Sequence, residues 1–222
     1  MSFIRSLLID RASLFTGAMN TVTAAFFAIV IGTTIGILFG FALCYGNKYV
    51  KIPFRFYVDL VRGMPGLVTI FLLYYLLGFV LLGIGIELTP LASGIIALSA
   101  LSVAQIAELT RGALQSIPKG QIEAGKAIGL RFNQIFIFIL FQQAIVLIIP
   151  PWINTATEMV KGSTLLSLIG VSELLLTAHQ LVSTSGLALP YYTFIGLIFF
   201  LINTLIQYLG KILEKKVSFY KR

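Results

Sequence analysis

The chain has 222 residues, of which 58% are hydrophobic and 11% charged, and its formal net charge is +8. Soluble domains carry about 25% charged residues, so this chain has about half the charge a water-facing surface uses, and several apolar stretches exceed the ~20 residues needed to cross a ~30 Å hydrocarbon core. Composition excludes an ordinary soluble enzyme and predicts an all-α integral membrane protein of about five transmembrane helices, a length expected to leave no room for a folded soluble domain.

Residues 1–15, with Arg5, Asp10 and Arg11, read as an amphipathic N-terminal lead-in to a transmembrane region over 16–209. The first span is predicted over Thr16–Tyr45. Its Gly32, Gly36 and Gly40 are spaced by four and share one helix face, which is either a seam for close backbone approach or a chance outcome of glycine richness. A basic connection, Asn47–Arg55, is expected to break at Pro53. The second span is predicted over Phe56–Leu82, interrupted by Gly63, Met64, Pro65 and Gly66. Backbone freed by such a break is tolerated at membrane depth only beside protein or a water-filled cavity.

After a short turn at Gly83–Gly85 and Glu87, the third span runs over about Leu88–Gly112. The polar stretch Gln115–Arg131 follows, with Ser116 as a candidate cap for a short helix over Lys119–Gly129. Physics alone leaves that segment as either a helix that docks into a soluble partner or an ordinary loop. The fourth span, Phe132–Ile149, is expected to stop at Pro150 and Pro151. Residues 152–186 alternate polar and apolar patches and need not form a clean span. The last span, Leu187–Leu209, precedes a basic tail over 210–222.

Three basic clusters flank these spans: Lys48, Lys51 and Arg55; Lys119, Lys126 and Arg131; and Lys211, Lys215, Lys216, Lys221 and Arg222. The positive-inside rule places all three in the cytoplasm and therefore the C-terminus as well. Because the basic residues border spans, they argue against nucleic-acid binding. Cys44 and His179 read as packing or interfacial residues, and no metal-ligating cluster, phosphate loop or partnered nucleophile is visible. At membrane depth, Glu158 and Lys161 are three residues apart. They can answer the two charges of a zwitterion or simply neutralise each other. Asp59-Leu60-Val61-Arg62-Gly63 and Glu108-Leu109-Thr110-Arg111-Gly112 repeat one pattern in which each acid is expected to meet its own arginine, as a gate clamp or a helix-end anchor.

Three blocks in order carry a resemblance: VRGMPGLVTIFLLYY (Val61–Tyr75), AELTRGALQSIPKGQIEAGKAIG (Ala107–Gly129) and VKGSTLLSLIGVSEL (Val160–Leu174). The chain resembles the permease subunits of binding-protein-dependent ATP-binding-cassette importers, more closely the polar-amino-acid group that includes histidine, glutamine and arginine permeases. The resemblance spans roughly Thr16–Leu209 and implies a type I importer fold in a bacterial inner membrane. It identifies residues 117–129 as a coupling helix, with Glu123, Ala124, Gly125 and Gly129 facing the ATPase. It also implies a path lined by Gly66, Leu67, Val68, Thr69, Ser163 and Thr164.

The partners so implied are an ATPase dimer that uses ATP and Mg, a second permease chain (identical or a sibling), and an extracytoplasmic solute-binding protein, all within membrane lipid. The chain itself would be no enzyme and would hold no cofactor. Two departures stand out. An LPQA-like stretch is replaced here by FQQA, and two positions that are acidic in relatives carrying basic amino acids are Thr155 and Gly162. The second departure argues against arginine or lysine as substrate. The rival readings are an importer of another polar solute, such as an opine or compatible solute, an ion-gradient-driven secondary transporter, or a membrane enzyme.

Overall fold

The computed structural model describes residues 7–218, and these contain eight principal helices and no strand. Helix α1 is Arg11–Tyr45, α2 Lys48–Gly63, α3 Gly66–Leu82, α4 Pro90–Ser116 and α5 Gly120–Ala127. Helix α6 is the long span Phe132–Ile169, α7 is Leu174–Ser185 and α8 is Ala188–Ser218. Four helices (α1, α4, α6 and α8) are long and apolar enough to cross a membrane, and the bent pair α2–α3, counted as one broken span, brings the total to five. Residues 1–6 of the expected lead-in and 219–222 of the tail, including Lys221 and Arg222, lie outside the described residues; Arg11 already belongs to α1.

The core of the bundle is the contact of α1 with α4, the most extensive between any two helices of the chain. Gly32 faces Ser102, Gly36 faces Ile106 and Gly40 faces Thr110, so the two helices run parallel with ridges of fourfold spacing on both. A Cβ on Gly36 would lie 2.8 Å from Ile106 Cβ and 3.1 Å from the Val103 carbonyl oxygen. Between helices in lipid there is no hydrophobic drive, so close packing of this kind supplies the attraction. Further along the same face, Thr21, Ala24 and Ala28 are buried, and Gly17 abuts Thr177 of α7.

Three proline expectations are revised. Pro53 does not break the basic connection, because α2 runs through it. The hydrogen bond it removes would have gone to the carbonyl of Tyr49, a strongly exposed residue in the first turn. Pro150 and Pro151 do not stop the fourth span either; the helix continues to Gly162 and ends in a 3₁₀ segment, Ser163–Ile169. Buried Ile148, Ile149 and Ile153 pin it on both sides, and the Trp152 indole N–H donates to Thr33 Oγ1 of α1 at 2.8 Å. Tertiary packing thus overrides the local signal. Near its start, α6 instead contains a π-helical stretch, Phe136–Leu140, with Phe136 packed on Phe41 at 4.6 Å.

The break in the second span is real and larger than a kink. The chain bends by 118° between α2 and α3 at Met64 and Pro65, so Lys48–Gly63 forms a separate helix outside the axis of Gly66–Leu82. The Tyr57 hydroxyl donates to the Ala100 carbonyl at 2.7 Å and ties α2 to α4.

After α6 the chain folds back through α7. Glu173 caps α7, its two carboxylate oxygens accepting from Leu175 N–H at 2.8 Å and Leu176 N–H at 2.7 Å. Thr21 Oγ1 of α1 accepts from Leu174 N–H at 3.1 Å. Helix α8 packs antiparallel on α6, where Gly210 meets Ile153, and presents Phe200, Leu201, Leu205 and Leu209 outward as an exposed apolar surface.

Two outcomes are expected. Gly36→Leu should lower unfolding stability in detergent by about 3 kcal/mol, since the obstruction includes backbone; Gly78→Leu, where a Cβ would meet nothing within 4 Å, should stay within about 0.5 kcal/mol. Burial pushes the Glu173 carboxyl up from 4.5 to about 7. The folded state therefore favours the neutral form, and that stabilisation is complete below the usual carboxylate range and lost as pH rises through about 7. Hydrogen-exchange protection of residues 174–177, corrected for intrinsic rates, should fall between about pH 5 and 8 and become flat in Glu173→Gln.

Candidate translocation and coupling sites

The bend between α2 and α3 opens a cavity of about 590 Å³ against α4 and α6. Its walls include Arg62, Met64 and Gly66 at the break, Gln105 and Glu108 on α4, and Asn154, Thr155, Glu158 and Gly162 on α6. Gly66 begins α3, so the first amide groups of that helix lack intrahelical acceptors and the positive end of its dipole lies at the cavity wall. Gln105 Oε1 is buried in this wall without a hydrogen-bond partner among the described residues. Gln105 carries little signal in the sequence beyond an amide in the middle of an apolar span.

The expected path residues separate into two groups. Gly66 and Glu158 line the cavity, whereas Leu67, Val68 and Thr69 form the next turn of α3 outside its lining. Thr69 is buried, with its hydroxyl directed at the Pro65 carbonyl at 3.4 Å. Ser163 and Thr164 donate to the carbonyls of Val160 and Lys161, each at 2.7 Å, so both hydroxyls serve the helix-to-3₁₀ transition. Lys161 is exposed beside the cavity rather than in its lining, and among the described residues no salt bridge joins it to Glu158. Asn154, Glu158 and Lys161 follow one another at spacings of four and three, along an α6 face that this chain leaves open.

At the cavity mouth the ion pairs differ from the expected pattern. Glu108 does meet Arg111, at 2.5 Å, but Asp59 is bound by Arg55 at 2.8 Å instead of by Arg62. Arg62 reaches across to Glu108 at 3.7 Å, and Arg55 also reaches Glu108, at 3.2 Å. The reason is the packing of α2 against α4, which turns both arginines toward the same carboxylate. Three guanidinium groups thus converge on one acid that is 19% exposed, joining the two helices beside the break. Single exposed pairs contribute only ~0–1 kcal/mol, and a shared network of this kind does better.

Helix α5 projects between α4 and α6 at the end of the bundle where α1 and α4 finish. Ser116 does not cap it; that residue closes α4 and donates to the Ala113 carbonyl at 2.8 Å. Glu123 sits in the first turn and Lys126 in the last, both favourable to the helix dipole. The C-terminus is closed by a Schellman motif, Leu130 N–H to the Gly125 carbonyl at 3.0 Å and Gly129 N–H to the Lys126 carbonyl at 2.9 Å. Gly129 takes φ +83°, which a side chain rarely adopts. Gly125 is buried, and a Cβ there would lie 2.8 Å from Ile135 Cγ1. Glu123, Ala124, Lys126, Ala127 and Ile128 remain exposed, and Ile128 is an apolar member of this surface that the sequence reading omitted.

His179 lies at 3.2 Å from the Tyr192 hydroxyl, and Cys44 is half-buried near Tyr45 and Phe41. Among the described residues no group of His, Cys, Asp or Glu is placed to hold a metal ion.

Comparison with known proteins supplies the frame for this geometry. Residues 32–219 match the family described as binding-protein-dependent transport system inner membrane component. A probable amino-acid ABC transporter permease of Bacillus subtilis, YckA, is 33% identical over 92% of this chain and 88% of its own length. The arginine ABC transporter permease ArtQ of Haemophilus influenzae is 31% identical over 94% and 95%. In three dimensions the chain is similar to one from the crystal structure of an amino acid ABC transporter with histidines, with a TM-score of 0.85, 26% identity and coverage of 97% and 99%. The chain therefore belongs to the inner-membrane components of binding-protein-dependent transport systems, as a multi-pass protein built on the ABC importer permease fold.

Proposed function

We propose that this chain is the permease subunit of an importer for a polar amino acid or a similar small zwitterion. It contributes the path, and a separate subunit hydrolyses ATP with Mg. The observation that carries the substrate class is the cavity at the α2–α3 break. Its volume suits a small solute, and its walls carry opposite charge preferences. The α3 N-terminus, with Gly66 and its neighbours, favours a carboxylate, as half-helix ends do in other transporters. Glu158 supplies a negative partner for an ammonium group, flanked by the amides of Asn154 and Gln105. Thr155 and Gly162 add no further carboxylate to the cavity, which favours a neutral or acidic side chain over a cationic one. The relatives named for amino acids support the amino-acid class and not a particular side chain, since one of them is named for arginine.

The exposed face of α5 is the coupling surface, and Ala124 and Ile128 are its contact residues toward the ATPase. Gly125 and Gly129 act through structure, one by its packing on Ile135 and the other by its backbone conformation. Lys48, Lys51, Lys119, Lys126 and Arg131 lie at the end of the bundle where α1 and α4 finish, and α8 carries its basic last turn toward it. The positive-inside rule makes that end and the C-terminus cytoplasmic. The opposite end then receives solute from an extracytoplasmic binding protein. The open face bearing Asn154, Glu158 and Lys161 is completed by a second permease chain, either a copy or a sibling. ATP-driven approach of the ATPases moves α5, and the α2–α4 arginine network yields or holds with it. Net transport requires the solute to bind the outward and inward states differently.

The test is uptake of labelled amino acids by proteoliposomes that contain the chain with its ATPase and binding protein. Uptake should require ATP and survive collapse of ion gradients. Glu158→Gln should raise the half-saturating concentration about tenfold or more, the scale of one lost charge-assisted contact. Ala124→Arg should abolish ATP-coupled uptake while leaving the spans folded. Uptake that tracks an ion gradient, or an Ala124→Arg complex with normal coupling, would contradict the assignment.

A further inference from the structure

Helix α2 has a surface that neither the path nor the coupling helix uses. Tyr49, Ile52, Phe56 and Leu60, at spacings of three, four and four, form one exposed apolar stripe, with exposures of 85%, 56%, 68% and 46%. Lys48, Lys51 and Arg55 run beside it at spacings of three and four. Between the two stripes lies a groove of about 550 Å³, walled by Lys48, Lys51 and Arg55 on the charged side and by Ile52 and Phe56 on the apolar side. Because the chain bends by 118° between α2 and α3, this helix does not share the axis of the span that follows it.

We propose that this groove holds the phosphate headgroup of an anionic phospholipid, with the apolar stripe seated at the acyl boundary. An amphipathic helix of this kind lies in the interface and is drawn to anionic lipid by its basic side chains. Charge decides the occupant. The groove presents three cations against one carboxylate, Asp59, which is already bound by Arg55. A second copy of the same surface would bring like charges together. The ATPase has its own surface on α5. Lys48 and Lys51 also stand in the first turn of α2, which contains no acidic residue, so they oppose the positive end of the helix dipole. A bound anion relieves that opposition. The site also touches the cavity mouth, because Arg55 faces the groove and bonds both Asp59 and Glu108. A headgroup that engages Arg55 competes with Glu108 and so links lipid composition to the network that joins α2 and α4.

The experiment is native mass spectrometry of the purified transporter complex in detergent, titrated with phosphatidylglycerol or with phosphatidylcholine. Wild type should retain phosphatidylglycerol in preference to phosphatidylcholine. The Lys48→Gln/Lys51→Gln variant should lose that preference about tenfold, the order expected for two lysines at an anionic surface, with phosphatidylcholine retention unchanged as the check on folding. Lys48→Gln alone, at an exposed position, should show a smaller loss in the same direction. Lys211→Gln/Lys216→Gln removes the same charge from the tail and should keep the preference. Equal retention of both lipids by wild type would overturn the site, as would equal losses in the two double variants. Hydrogen-exchange protection of residues 48–60 that follows addition of the ATPase and not of phosphatidylglycerol would overturn it too.

Discussion

The architecture rests on the close approach of α1 to α4, and that approach is possible because three positions on α1 have no side chain. Gly32, Gly36 and Gly40 bring the two backbones together against Ser102, Ile106 and Thr110. In a bilayer the apolar side chains of one helix gain nothing by leaving lipid for another helix, so intimate packing must replace hydrophobic burial. With α1 and α4 locked in parallel, α6 is held across them by Trp152 and Thr33, and the α2–α3 elbow is held against α4 by Tyr57 and the arginines. The cavity is what remains between a fixed pair and a bent one.

That arrangement explains why the polar residues are where they are. A helix break exposes amide groups that lipid cannot satisfy, so it must face protein or water. Here it faces a cavity whose other walls carry Gln105, Asn154 and Glu158. Glu108, shared by three arginines at the mouth, joins the elbow to α4. Helix α5 follows α4 after a three-residue link, so its exposed face and the Glu108 network belong to adjoining elements.

Much of this was legible in the sequence, for identifiable reasons. The glycine spacing, the Gly63–Gly66 interruption and the basic clusters are all periodic or compositional signals, and they survive folding because they concern backbone access and charge. The proline signals were misleading. Pro53, Pro150 and Pro151 all sit inside helices: Pro53 costs only a bond to an exposed first-turn residue, and at Pro150 and Pro151 packed neighbours hold the chain where local preference would release it. Ion-pair partners were half legible. Glu108 and Arg111 follow the helical spacing, while Arg55 and Arg62 are directed by the packing of α2 on α4, a non-local fact. The distinct settings of Ala124, Gly125 and Gly129 were also invisible, because exposure and φ separate them and residue type does not.

The central claim is that this chain works with a separate ATP-hydrolysing subunit bound at α5. The most direct measurement is to purify the tagged chain from native membranes under gentle detergent and quantify its companions by mass spectrometry. The account predicts a near-equimolar ATP-binding subunit, with cross-links from that subunit to the exposed face around Ala124. A chain recovered without any ATPase, from membranes in which it still supports uptake, would contradict it and bring ion-gradient transport forward.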